Sequence, residues 1–120
     1  MLIRDTLLIE PIRAGDGTLL REILHPARQA ADIGCSLAHA ALPPGAASLR
    51  HRLAAVEVYY FLAGRGLMHV GGERADVRSG VAVVVPSGAV QWLENTGDAD
   101  LEFLCIVDPA WHENGEEILE

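Results

Sequence analysis

From Thr6 to Val107 the chain is a succession of short apolar or alternating runs broken by turn residues. The runs are TLLIEPI, TLLREIL, SLAHAAL, VEVYYFLA, LMHV, RADV, VAVVVP, VQWLEN and LEFLCIV. Strand-length runs at this close spacing predict an antiparallel sandwich or barrel. GDGT and VGGE read as hairpin turns between consecutive strands. Only two stretches have room for a helix. HPARQAADIG, from His25 to Gly34, predicts one helical turn, and the tail PAWHENGEEILE predicts a short C-terminal helix. No repeat, low-complexity tract or linker divides the sequence, so the expected organisation is one all-β domain over residues 1–120.

Composition narrows what such a barrel does. Half of the 120 residues are apolar and the mean hydropathy is positive at +0.21, which marks a chain that packs a core. The net charge is −8. With no basic stripe to displace phosphate counterions, nucleic acid is not an expected partner. Nine arginines are scattered along the chain and lysine is absent, which rules out Schiff-base chemistry on a lysine of this chain. The N-terminus lacks the apolar core of a secretory signal, and no apolar run is long enough to span a membrane. Cys35 and Cys105 lie far apart in apolar contexts, which reads as two buried thiols rather than a disulfide. A reduced, cytoplasmic location is the expectation.

One residue breaks the apolar pattern. Glu57 lies inside VEVYYFLA, where an unpaired buried charge would cost several kcal/mol or more. Its neighbours in sequence fall into a recognisable spacing. Gly45, His51, Leu53, Glu57 and Gly64 are separated by five, one, three and six residues. Gly80, Pro86, Gly88, Gln91 and Asn95 are separated by five, one, two and three. These two sets resemble the paired motifs of the cupin family, with fifteen residues between them. The chain departs from the motifs at Leu53, where the first motif has its second histidine, and at Gln91, where the second motif has its histidine. The resemblance covers about 37–107 as a core barrel, with edge strands within 6–24 and a tail at 108–120. It implies a double-stranded β-helix, or jelly roll, and a homodimer in which the N-terminal strands extend a neighbour's sheet.

Positions 51, 53 and 57 share one parity, so their side chains can enter one barrel interior. If Gln91 faces the same hollow, His51, Glu57 and Gln91 form an imidazole, carboxylate and amide set for a divalent metal. Manganese, iron, zinc and nickel are all candidates. Without the two missing imidazoles the set leans to weak binding and to harder cations, including magnesium and calcium. His39 and Tyr59 are candidates for a small-molecule pocket, and His69 is expected to face outward. Catalysis at such a metal would, by family analogy, be of oxygenase, isomerase or lyase type. The other reading is a metal-free cluster in which Glu57 accepts hydrogen bonds from His51 and Gln91. The barrel is then a ligand-binding or dimeric scaffold protein without enzymatic activity.

Overall fold

The structure, a computed structural model, describes residues 1–119. Eleven strands form two antiparallel sheets that face one another. The first strands are β1 (Ile12–Arg13), β2 (Leu19–Leu24), β3 (Ser36–Leu42) and β4 (His51–Leu53). They are followed by β5 (Val56–Ala63), β6 (Arg65–Val70), β7 (Glu73–Arg78) and β8 (Ala82–Val85). The last are β9 (Gln91–Asn95), β10 (Leu101–Asp108) and β11 (Glu116–Ile118). One sheet has the order β1-β2-β3-β10-β5-β8 and the other β11-β4-β9-β6-β7. From β3 onward the chain passes repeatedly from one sheet to the other, which is the double-stranded β-helix expected from the motifs. No helix among the described residues is long and apolar enough to cross a membrane.

Strict alternation builds the core. Along β5 the buried residues are Glu57, Tyr59 and Phe61, and along β10 they are Leu101, Phe103, Cys105 and Val107. The rings of Tyr59 and Phe61 pack around Phe103, stacked and tilted respectively, with centroids 5.4 and 5.5 Å from it. The motif residues have mechanical roles. Gly64 sits at φ +82°, and a Cβ there would stand 2.5 Å from the Asp100 carbonyl oxygen, so only glycine fits. Asn95 donates to the carbonyls of Leu42 and Ala99 and accepts from the Gly97 amide, tying two loops to β9.

The termini correct the sequence reading. TLLIEPI was expected to be a strand, but Thr6–Leu8 is a 3₁₀ turn capped by Asp5, and only Ile12–Arg13 pair. Pro11 interrupts the run and removes an amide donor. The tail was expected to be helical; instead a 3₁₀ turn at Glu113–Gly115 leads into β11, which pairs with β4. Gly115 breaks any helix in the tail, and the exposed edge of β4 offers the following residues a ladder. The helical turn after His25 is present as Pro26–Gln29, with the His25 side chain capping Ala27.

Candidate functional site

The two sheets bring the three motif residues together at one end of the barrel. His51 and Gln91 are Cα partners in the five-stranded sheet. Glu57 lies on the opposite sheet, paired with Val107 and Val85. All three are buried: His51 is 2% exposed, Glu57 6% and Gln91 0%. His51 and Glu57, with Tyr59 and Cys105, line a recessed cavity of about 280 Å³. That volume is at the small end of the range for organic ligands (~300–1,000 Å³).

Hydrogen bonding shows what each group offers. His51 Nδ1 is 2.8 Å from the Leu49 carbonyl oxygen. A carbonyl only accepts, so Nδ1 carries the proton and Nε2 is turned toward the cavity. Tyr59 donates its hydroxyl to Gln91 Oε1. The oxygen that a metal would need is therefore engaged, and the Gln91 amide nitrogen faces the carboxylate instead. That amide lowers the pKa of Glu57 without closing a well-formed hydrogen bond, and Glu57 Oε1 is left with no partner. The Cys105 thiol supplies a further weak donor to Glu57.

Burial dominates the electrostatics. It pushes the Glu57 carboxyl from 4.5 up to about 7; the His51 charge opposes the rise and Asp16 adds to it. Burial also raises Tyr59 and Cys105 well above their ordinary values, with the Glu57 charge adding to both. These two groups therefore stay protonated as donors.

Two acidic residues join the site without a signal in the motifs. Asp16 lies in the GDGT turn, where its Oδ1 accepts from the Thr18 amide and hydroxyl. This Asx turn aims Oδ2 at His51 Nε2, 3.7 Å away. Glu116, on β11, lines the same cavity, and its pKa is raised by burial against the opposing His51 charge. A turn residue 35 positions before His51 is visible only once the hairpin folds over the barrel mouth.

Of the two candidate pocket residues, Tyr59 lines the cavity and His39 does not. His39 alternates to the outer face of β3 and pairs with Glu102 through Nε2 at 3.1 Å. Leu53 is buried in the cavity wall. His69 faces outward as expected, stacked on Trp92 with ring centroids 3.8 Å apart and bonded to Glu94. Cys105 proves to be more than a packed thiol, because it borders both Glu57 and the cavity. Both cysteines are free.

Comparisons with known proteins agree with this architecture. Residues 38–107 match the family model described as Cupin domain. The uncharacterized protein MJ1618 of Methanocaldococcus jannaschii is 36% identical over 113 residues, covering 93% of this chain and 90% of that protein. The oxalate-binding protein of Thermotoga maritima is 37% identical over 67 residues, which is 55% of each chain. A crystal structure of a predicted oxalate decarboxylase from Thermotoga maritima superposes with a TM-score of 0.79 at 26% identity. It covers 90% of this chain and 99% of that one. Motif spacing, sheet order and these likenesses converge, and the chain belongs to the cupin family.

Proposed function

We propose that this cupin is a small-molecule-binding protein whose ligand occupies the barrel cavity against Glu57 and His51. One observation carries the reading. A carboxylate oxygen is buried without a partner beside a recessed hollow, and leaving such an acceptor unmet costs about 1–3 kcal/mol or more for a charged group. A ligand that supplies a donor recovers that cost. The relatives named for binding or processing oxalate make a small organic ligand a natural class. The test is a fragment screen followed by amide NMR, comparing the wild type with Ala38→Phe, which fills the cavity from β3. Hits should perturb residues around Glu57 and disappear in the filled variant. Hits that persist there would refute the cavity as the site.

A second reading is favoured by His51. With Nδ1 bonded to a backbone carbonyl, its Nε2 has the orientation of a metal-ligating imidazole held by its outer partner. Together with Glu57 Oε1 it offers two donors, and Gln91 would give a third only by releasing Tyr59. Among the described residues, no three His, Cys, Asp or Glu side chains gather to hold a metal ion. The set therefore fits a loosely held hard cation and not a tight transition-metal centre. Such an ion would act as a Lewis acid toward a ligand carboxylate. Metal analysis and manganese EPR titration of the wild type and Glu57→Ala test this reading. Stoichiometric metal lost in the variant supports it, and equal low affinity in both overturns it.

A further inference from the structure

The cavity reading can be taken further, to the charge of its ligand. Three carboxylates, Asp16, Glu57 and Glu116, line the hollow near His51. Glu57 Oε1 is unpartnered, and its side chain is buried and lines the cavity. Asp16 spends Oδ1 on Thr18 and leaves Oδ2 facing inward, 3.7 Å from His51 Nε2. Glu116 adds a third carboxylate to the lining.

Two arginines, Arg13 and Arg28, also line the cavity. Arg28 is paired with Glu22, and Arg13 donates to the Gly17 carbonyl. His51 donates from Nδ1 to the Leu49 carbonyl, which leaves Nε2 turned to the Asp16 carboxylate. Leu20, Ala38, Leu53, Phe103, Val107 and Trp111 supply an apolar part of the wall.

Resting on the cavity reading, we propose that this site binds a small organic cation, a primary ammonium carried on an apolar alkyl or aryl body. An ammonium brings three donors and one positive charge, which matches the carboxylates at one end while its body packs against the apolar wall. A free dicarboxylate meets the opposite situation, since its charges would face Asp16, Glu57 and Glu116, and of the two lining arginines Arg28 is already paired with Glu22. It needs a divalent cation between itself and the protein, and the amine does not.

Calorimetry at pH 8 in EDTA tests this with benzylamine, its uncharged isostere benzyl alcohol, and oxalate. Benzylamine should bind at least about tenfold more tightly than benzyl alcohol, as a charge-assisted hydrogen bond warrants. Oxalate should give no saturable heat. Glu57→Gln, which keeps the shape of the side chain, should erase the preference for the amine over the alcohol. Asp16→Asn gives a second reading of the same charge effect from the cavity mouth, away from the β5 core. Equal binding of amine and alcohol to the wild type overturns the charge assignment and leaves the cavity reading standing. Binding of neither overturns both. Oxalate binding in EDTA overturns the charge assignment outright.

Discussion

Glu57 should make the protein less stable as pH rises from 5 to 8. Its carboxyl ionises at 4.5 in an unfolded chain and at about 7 in the barrel. Below 4.5 both states hold the proton, and folding gains or loses nothing from this group. Between the two values the unfolded chain has released its proton while the folded chain keeps it. The unfolded state binds fewer protons there, so stability falls with pH until the folded group has also ionised. The rise from 4.5 to about 7 corresponds to a loss on the order of 3 kcal/mol by the end of that window. Glu57→Gln removes the titration and keeps the side-chain shape, so comparing the two proteins isolates this group from every other that titrates. A domain of this size moves by very roughly 3–6 °C per kcal/mol. In EDTA, the melting temperature of the variant relative to wild type should therefore climb by about 10 °C between pH 5 and pH 8. A difference that stays flat across this range would show that the carboxylate is solvated or already neutralised, and the account of a desolvated, unpartnered acid would be wrong. A bound cation reverses the argument, because it prefers the ionised acid. Repeating the melts with benzylamine should shrink the pH-dependent gap.

Three further outcomes follow from the geometry. The double variant Leu53→His and Gln91→His places two imidazoles beside His51 and Glu57 and should hold stoichiometric zinc after dialysis; metal analysis decides, and no gain would mean that the two sheets do not present these positions to one point. Gly64→Ala should lower stability by at least about 1–2 kcal/mol, because a Cβ at positive φ would also meet the Asp100 carbonyl; urea unfolding with an unchanged midpoint would contradict this. The outer face of the six-stranded sheet carries Leu37, Ile106, Val58 and Val84 as one cross-strand row, with Val84 64% exposed. If two copies pair through this apolar row rather than through the N-terminal strands, Val84→Arg should convert a sedimenting dimer to a monomer of 12.9 kDa, and a dimer unchanged in the variant would refute that pairing.

The barrel was legible in the sequence because its rule is local. Period-two alternation in VEVYYFLA and LEFLCIV fixes which residues point inward, and Gly64 and Asn95 mark turns whose geometry few other residues satisfy. The convergence of His51, Glu57 and Gln91 also followed from parity and motif spacing. His39 was expected near the cavity because its strand leads into PPG, but Ser36, Ala38 and Ala40 take the inner face of β3 and His39 the outer. The ends were misread because their structure is set by partners rather than propensity. β11 exists because the edge of β4 accepts it, and nothing within ENGEEIL records that edge.

What parity cannot supply is the use to which each polar atom is put. From the sequence, Gln91 was an oxygen available to a cation; in the fold that oxygen accepts from Tyr59, two residues beyond the acid it was expected to assist. The substitution of histidine by glutamine thus does more than replace one ligand with a weaker one. It builds a hydrogen-bonded strut between the sheets, and it turns an amide N–H, not a lone pair, toward Glu57. The same site consequently changes character. Where two more imidazoles would surround a metal ion, this chain has a leucine wall, an occupied amide and carboxylates arriving from a hairpin and from the C-terminal strand. The charge balance of the hollow is decided by Asp16 and Glu116, which lie outside both motifs, and it favours a ligand that brings its own positive charge.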